Sequence, residues 1–293
     1  MADCSTATKN NIGKTNGLCL PGLPIAMFTT PDSFELTSVN IASASALKTA
    51  LQTALKASKD ARIYKWPRFS NGEDASEETI YSQTAYGSRK IRDGNYRFKF
   101  MISKTLCLHK AMFSHSANAG RVIVLDKEGK IWLTKKSNGN YAGLSIDMLN
   151  VEKLKINFGD VLTETPIRVD LADNKELDNS GELVACSIYN ELEALTDVTL
   201  EVTQVVDEDH FYLKVTQTCD GTPVSGLVKA DFNVTTAAGA AQQPDTVTEP
   251  NSDGIYYFTR AANFVDGYVD LVVSSLLSLD AYESTGKVAV NVP

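Results

Sequence analysis

The chain has 293 residues and a mass of 31.8 kDa, long enough at roughly 100 to 200 residues per domain for two domains with separate cores. Hydrophobic residues make up 43% and charged residues 22%, which excludes a disordered or collagen-like chain, and no run approaches the roughly 18 apolar residues of a membrane helix. The net charge of −8 is uneven: up to Leu195 the chain has 24 basic and 22 acidic residues, and after it 4 basic and 14 acidic.

Residues 1–20 read as an N-terminal arm. They lack the basic start and apolar core of a secretory signal, so the chain is expected to act, or to be assembled, in a cytoplasm. Gly13-Lys14-Thr15 ends like a phosphate-binding loop, but the glycine required five residues earlier is replaced by Thr8 and no strand precedes it; a terminal segment is the better reading. The five cysteines (Cys4, Cys19, Cys107, Cys186 and Cys219) are odd in number, widely spaced and free of C-x-x-C pairs. They are expected to be reduced and to hold no zinc, with Cys107 and Cys186 in the core.

From Ser43 to Asp60, Leu47, Ala50, Leu51, Ala54 and Leu55 recur at helical spacing and predict an amphipathic helix capped by Ser43 or Ser45, its stripe packed on a sheet. Ser70 to Thr79 carries four carboxylates and is expected to be an exposed, mobile loop. Asp93-Gly94 between GSRKIR and NYRFKFMI predicts a hairpin with Tyr96, Phe98 and Phe100 on one face. Lys104 to Ser116 predicts a second helix with Leu106, Lys110 and Phe113 aligned, followed by a hairpin of Arg121–Leu125 and Lys130–Thr134. Further strands are expected at Leu144–Leu149, Lys153–Phe158, Pro166–Leu171 and Leu183–Tyr189. The fold class of residues 21–195 is therefore a β-rich α+β domain with about eight strands and two helices.

Between Lys59 and Lys110, 11 basic residues face 6 acidic ones and alternate with Tyr64, Trp66, Phe69, Tyr96 and Phe98. Such a strip can bind nucleic acid, can be the solvated side of hairpins whose rings point inward, or can meet an acidic surface on a neighbouring copy. The pI near 5.0 favours the second reading over the first. His109 and His115, with Cys107 nearby, are six apart rather than three or four, which points them in different directions and disfavours a metal site.

After Leu195 helical periodicity ends. Strands are expected at Val198–Val206, His210–Gln217, Leu227–Val234, Gly254–Thr259, Tyr268–Ser275 and Lys287–Val292, the size and rhythm of an all-β immunoglobulin-like sandwich over 196–293. Asp207-Glu208-Asp209 followed by His210 can hold a hard cation or simply close a solvated turn, and the turn is the more economical reading. No stripe of exposed aromatics is visible here. There is no nucleophile elbow, H-E-x-x-H or dinucleotide-binding glycine pattern, and only three histidines, so no catalytic, cofactor or metal residues are nominated and no enzyme is expected.

Two segments resemble known families. CDGTPVSGLVKADFNV, then NSDGIYYFTR, DGYVDLVVS and GKVAVNVP, is similar to the Ig-like domains appended to bacterial and phage surface and virion proteins, with Val224 and Leu227 placed to enter a core. GSRKIRDGNYRFKFMIS, TLCLHKAMFSH and RVIVLDKEGKIWLTKK resemble virion structural proteins of tailed phages infecting Bacteroidetes, including crAss-like phages, over roughly residues 60 to 160. The resemblance implies a homo-oligomeric tail ring or tube protein near the portal, located in the virion, contacting portal or other ring proteins and carrying an outward Ig-like domain. It implies no membrane partner, and nucleic acid only in passage through a channel. A capsid decoration protein and a carbohydrate-binding adhesion module are the alternatives.

Overall fold

The structure, a computed structural model, describes residues 21–84, 86–116, 120–156, 163–272 and 281–293. The expected N-terminal arm, with Gly13-Lys14-Thr15, lies outside them. The chain divides into two compact units between Leu192 and Glu193, just before the boundary expected at Leu195.

The first unit contains, in chain order, β1 (Pro24–Thr30), α1 (Ala44–Leu55), β2 (Tyr64–Lys65), β3 (Asn71–Asp74), β4 (Ile80–Thr84), β5 (Gly87–Arg92), β6 (Arg97–Ile102), α2 (Leu106–Phe113), β7 (Gly120–Asp126), β8 (Lys130–Lys135), β9 (Tyr141–Ala142), β10 (Leu144–Val151), β11 (Thr165–Leu171), α3 (Asn174–Ser180) and β12 (Gly181–Ala185). Ten strands form one sheet along the path β12-β8-β7-β10-β11-β6-β3, with β1 and β2 attached through β7 and β9 attached to β8. Within RVIVLD the run Val122–Leu125 is apolar throughout because β7 is buried on both faces. Side chains alternate across a strand, so Val122 and Val124 enter one cluster with Met27, Phe98 and Trp132, while Ile123 and Leu125 enter another with Phe28, Leu51 and Ile131.

Helix α1 covers the second cluster. Ser43 Oγ accepts the Ala46 N–H at 3.1 Å, and Leu47, Leu51, Ala54 and Leu55 are buried. Helix α2 turns Leu108 and Met112, four residues apart, toward the first cluster. The stripe expected through Leu106 and Phe113 is therefore corrected, since both are exposed.

Three other expectations change. GSRKIR does not pair with RFKFMI across Asp93-Gly94; as β5 it pairs with β4, and β6 pairs with β3 and β11. The acidic segment expected as a mobile loop contains edge strand β3, its side chains exposed but its backbone in the sheet. Lys153–Phe158 forms no strand over its described residues beyond an isolated bridge from Lys155 to Glu164. β1 and α3 carry too little periodicity in PIAMFTT and NKELDNS to be read as elements, yet β1 lies against β7 in the sheet.

The second unit comprises β13 (Leu195–Asp207), β14 (His210–Gln217), β15 (Phe232–Thr236), β16 (Thr246–Thr248), β17 (Ile255–Thr259), β18 (Gly267–Leu271), β19 (Ala281–Ser284) and β20 (Val288–Val290). They form a five-stranded sheet, β16-β17-β14-β13-β19, and a three-stranded sheet, β15-β18-β20, which share one hydrophobic core. Val224 and Leu227 are buried in it. Tyr256 fixes their loop, its hydroxyl donating to Val224 O at 2.7 Å and accepting the Leu227 N–H at 3.1 Å. Gly254, at φ +75°, lies where a Cβ would stand 2.7 Å from Val215 O, so glycine is required there.

The cysteine expectation is also corrected. Cys107 and Cys219 each take part in a disulfide, whereas Cys186 is a free, buried thiol whose pKa burial pushes up to about 11. For the body, Ile123→Ala should cost about 2–5 kcal/mol of unfolding free energy, because it leaves a cavity in a strand closed on both sides. Urea denaturation checks this, and a loss below about 1 kcal/mol would contradict the two-sided core.

Candidate functional site

Strands β3 to β6 make one long antiparallel hairpin with a joint in its middle. Its base runs from Asn71↔Met101 to Asp74↔Phe98. The backbone continues through Ala75 N–H to Arg97 O at 2.9 Å and Glu77 N–H to Asn95 O at 3.0 Å, and the tip runs from Ile80↔Arg92 to Thr84↔Gly87. At the joint a Cβ on Gly94 would lie 1.7 Å from Glu77 O, which explains the glycine of Asp93-Gly94 better than a turn does. Charges brace the joint. Arg97 Nε donates to Asp170 Oδ1 at 3.0 Å, Arg168 Nη2 donates to Asp170 Oδ2 at 2.7 Å, and Glu77 pairs with both Arg97 and Arg92. Burial works to raise the Asp170 pKa, but the hydrogen bonds from Arg168 and Arg97 prevail and hold it below the usual carboxylate value.

Among the described residues the tip pairs with no further strand. Ile80, Tyr81, Tyr86 and Ile91 are exposed on it, Tyr86 fully. Residues 80 to 92 also contain Arg89, Lys90 and Arg92 and no acid. Lys90 pairs with Asp93 just beyond the tip. Exposed apolar side chains grouped with basic ones in this way are suited to contact with another surface.

The rest of the basic strip is not laid out for bases. Trp66 and Phe98 are buried, Phe69 stacks on Phe100 at 4.0 Å, and Tyr96 and Phe98 stack on each other at 6.3 Å. Arg62, Lys65 and Arg68 bond to Ala57 O, Leu192 O and Asn190 Oδ1. His109 and His115 stay apart in role. His109 Nδ1 meets Thr165 Oγ1 at 3.0 Å, while His115 packs edge-on against Tyr64 and Trp66, where burial lowers its pKa. A cavity of about 140 Å³ beside His115 is lined by Lys59, Asp60, Arg62 and Arg121, and no nucleophile is paired with a base in it.

In the second unit Asp207 to His210 forms the turn between β13 and β14. His210 Nδ1 lies 2.7 Å from Asp207 Oδ1 and 2.8 Å from Asp209 Oδ1, and among the described residues this trio is the one cluster close enough to hold a metal. The imidazole already occupies the space between the carboxylates, so the turn satisfies itself as an ion pair. The hydrogen bond to Asp207, with the charges of Asp207 and Asp209, raises the His210 pKa.

The outer face of the five-stranded sheet shows a feature the sequence reading missed. His210 and Tyr257 stack with ring centroids 5.4 Å apart, and Tyr257 meets Tyr212 at 4.7 Å, making a short aromatic row. Its signal is the alternation in HFYLK and IYYFT, where every second residue leaves the core.

No protein-family model matches the chain, and no curated protein matches it. No helix among the described residues is long and apolar enough to cross a membrane.

The turn makes a signed prediction. A raised folded-state pKa means that the His210 contribution to stability is full below about 6.5, the unfolded value, and is lost as pH rises through the folded value. An NMR titration, with the resonance assigned by its loss in His210→Gln, should give a midpoint above 6.5; a midpoint at or below it would contradict the pairing.

Proposed function

We propose that the chain is a structural component of a bacteriophage virion, an oligomeric ring or tube protein of the tail near the portal, and that its second unit is an immunoglobulin-like sandwich. The observation that carries this is the braced hairpin, which ends in exposed Tyr81, Tyr86 and Ile91. A ribbon of this kind gains by burying its apolar side chains, at roughly 25 cal/mol per Å². Its basic tip is complementary to residues 196–293, with 14 acidic and 4 basic residues, on a neighbouring copy. A contact between two different patches is heterologous, and head-to-tail contacts of that kind close into rings when the rotation per subunit permits. The resemblance of residues 60 to 160 to virion proteins supports the same reading. Disulfide bonding of Cys107 and of Cys219 suits a virion, whose surface is an oxidising environment. The function is contact rather than catalysis.

Mass photometry and negative-stain microscopy of the full chain should show closed multimers that weaken as salt screens the basic tip. The triple variant Tyr81→Ser, Tyr86→Ser and Ile91→Ser should stay monomeric with an unchanged melting temperature. A wild-type chain that remains monomeric at tens of micromolar, or a variant that assembles as well as wild type, would overturn the reading.

A further inference from the structure

The outer face of the second unit also carries a depression of about 270 Å³ beside the aromatic row, lined by Thr203, Gln204, Tyr212, Asn251, Asp253 and neighbouring apolar atoms. Its construction is specific. In a regular strand Thr203 and Gln204 would point to opposite faces, but β13 carries a bulge between Val202 and Gln204, and both residues are exposed and line the depression. Gln204 lies opposite Tyr212 in the register, and the Tyr257 ring backs Tyr212 on its other side. The loop that brings Asn251 and Asp253 is fastened at both ends. Glu249 accepts the N–H groups of Gly226 and Gly254, each at 2.8 Å, and Ser225 Oγ donates to Ser252 O at 3.0 Å.

The chemistry of the lining selects a ligand class. Asp253 is the one ionisable acid of the set, and its Oδ1 already accepts the Ile255 N–H at 3.1 Å. Among the described residues the side-chain polar groups of Thr203, Gln204, Asn251 and Tyr212 have no hydrogen-bond partner in the protein. Three neutral donor–acceptor side chains around the Tyr212 ring, with the ring's own hydroxyl, match a neutral polyol. Carboxamides pair with adjacent hydroxyls, and an aromatic ring packs against the C–H face of a pyranose. An anion would find no cation in the lining, and a cation would find one carboxylate already engaged. We propose that this depression binds a neutral saccharide, a function separate from assembly and independent of the hairpin.

The test titrates the full chain calorimetrically with cellohexaose, maltohexaose, mannohexaose and chitohexaose. At least one should bind, and Tyr212→Ala should weaken that binding tenfold or more while Tyr212→Phe, which keeps the ring, retains most of it. Asn251→Ala and Gln204→Ala, at exposed positions, should each weaken it severalfold and serve if Tyr212→Ala does not fold. Binding of none of the four sugars, or binding unchanged in folded Tyr212→Ala or in both amide variants, overturns the inference. A chain that still forms rings but binds no sugar loses this inference alone.

Discussion

Val122 and Val124 on one side of β7, and Ile123 and Leu125 on the other, tie two hydrophobic clusters to a single strand. Because β7 also contacts β1, β8 and β10 edgewise, it can neither slip in register nor rotate without disturbing both clusters at once. The backbones pack correspondingly close: a Cβ on Gly143 would lie 2.7 Å from Val122 O, and one on Gly120 2.6 Å from Thr30 O. This fixed centre is what permits an exposed hairpin elsewhere. A projecting ribbon is positioned only if its base is rigid, and β6 roots the hairpin in the same sheet through β11.

The joint between base and tip sets how the ribbon can act. Glu77 and Asp170 hold Arg92, Arg97 and Arg168 around it, and a partly buried, multiply bonded carboxylate such as Asp170 braces better than isolated surface ion pairs, which contribute little. On the proposed reading the tip beyond offers one modest contact per subunit. On the same reading, closure into a ring would multiply such contacts without requiring any of them to be strong. The second unit carries the excess of acidic residues and, on its outer sheet face, a separate depression lined mainly by neutral polar groups.

Much of the fold is legible in local sequence because alternation and helical stripes report burial directly. RFKFMI alternates because β6 has one fully buried face, and Leu47, Leu51 and Leu55 repeat every four residues because α1 lies on a sheet. Pairing partners are less legible. Asp93-Gly94 has the composition of a hairpin turn, but its glycine serves a close backbone approach to Glu77, and the true turn ends at Gly87 with φ +117°. The hairpin hides for the same reason: NGEDASEET looks like a solvated loop because its side chains are exposed, while its backbone is half in the sheet. The depression on the second unit depends on a bulge at Thr203, and a bulge leaves no mark in the residue pattern.

The account rests on the hairpin tip being an intersubunit contact, and hydrogen–deuterium exchange on assembled and monomeric chain tests that most directly. Amides between 80 and 92 should gain protection on assembly together with a segment of 193–293, while the β7 amides remain protected in both states. Equal exchange at the tip in both states, with protection gained elsewhere, would contradict it.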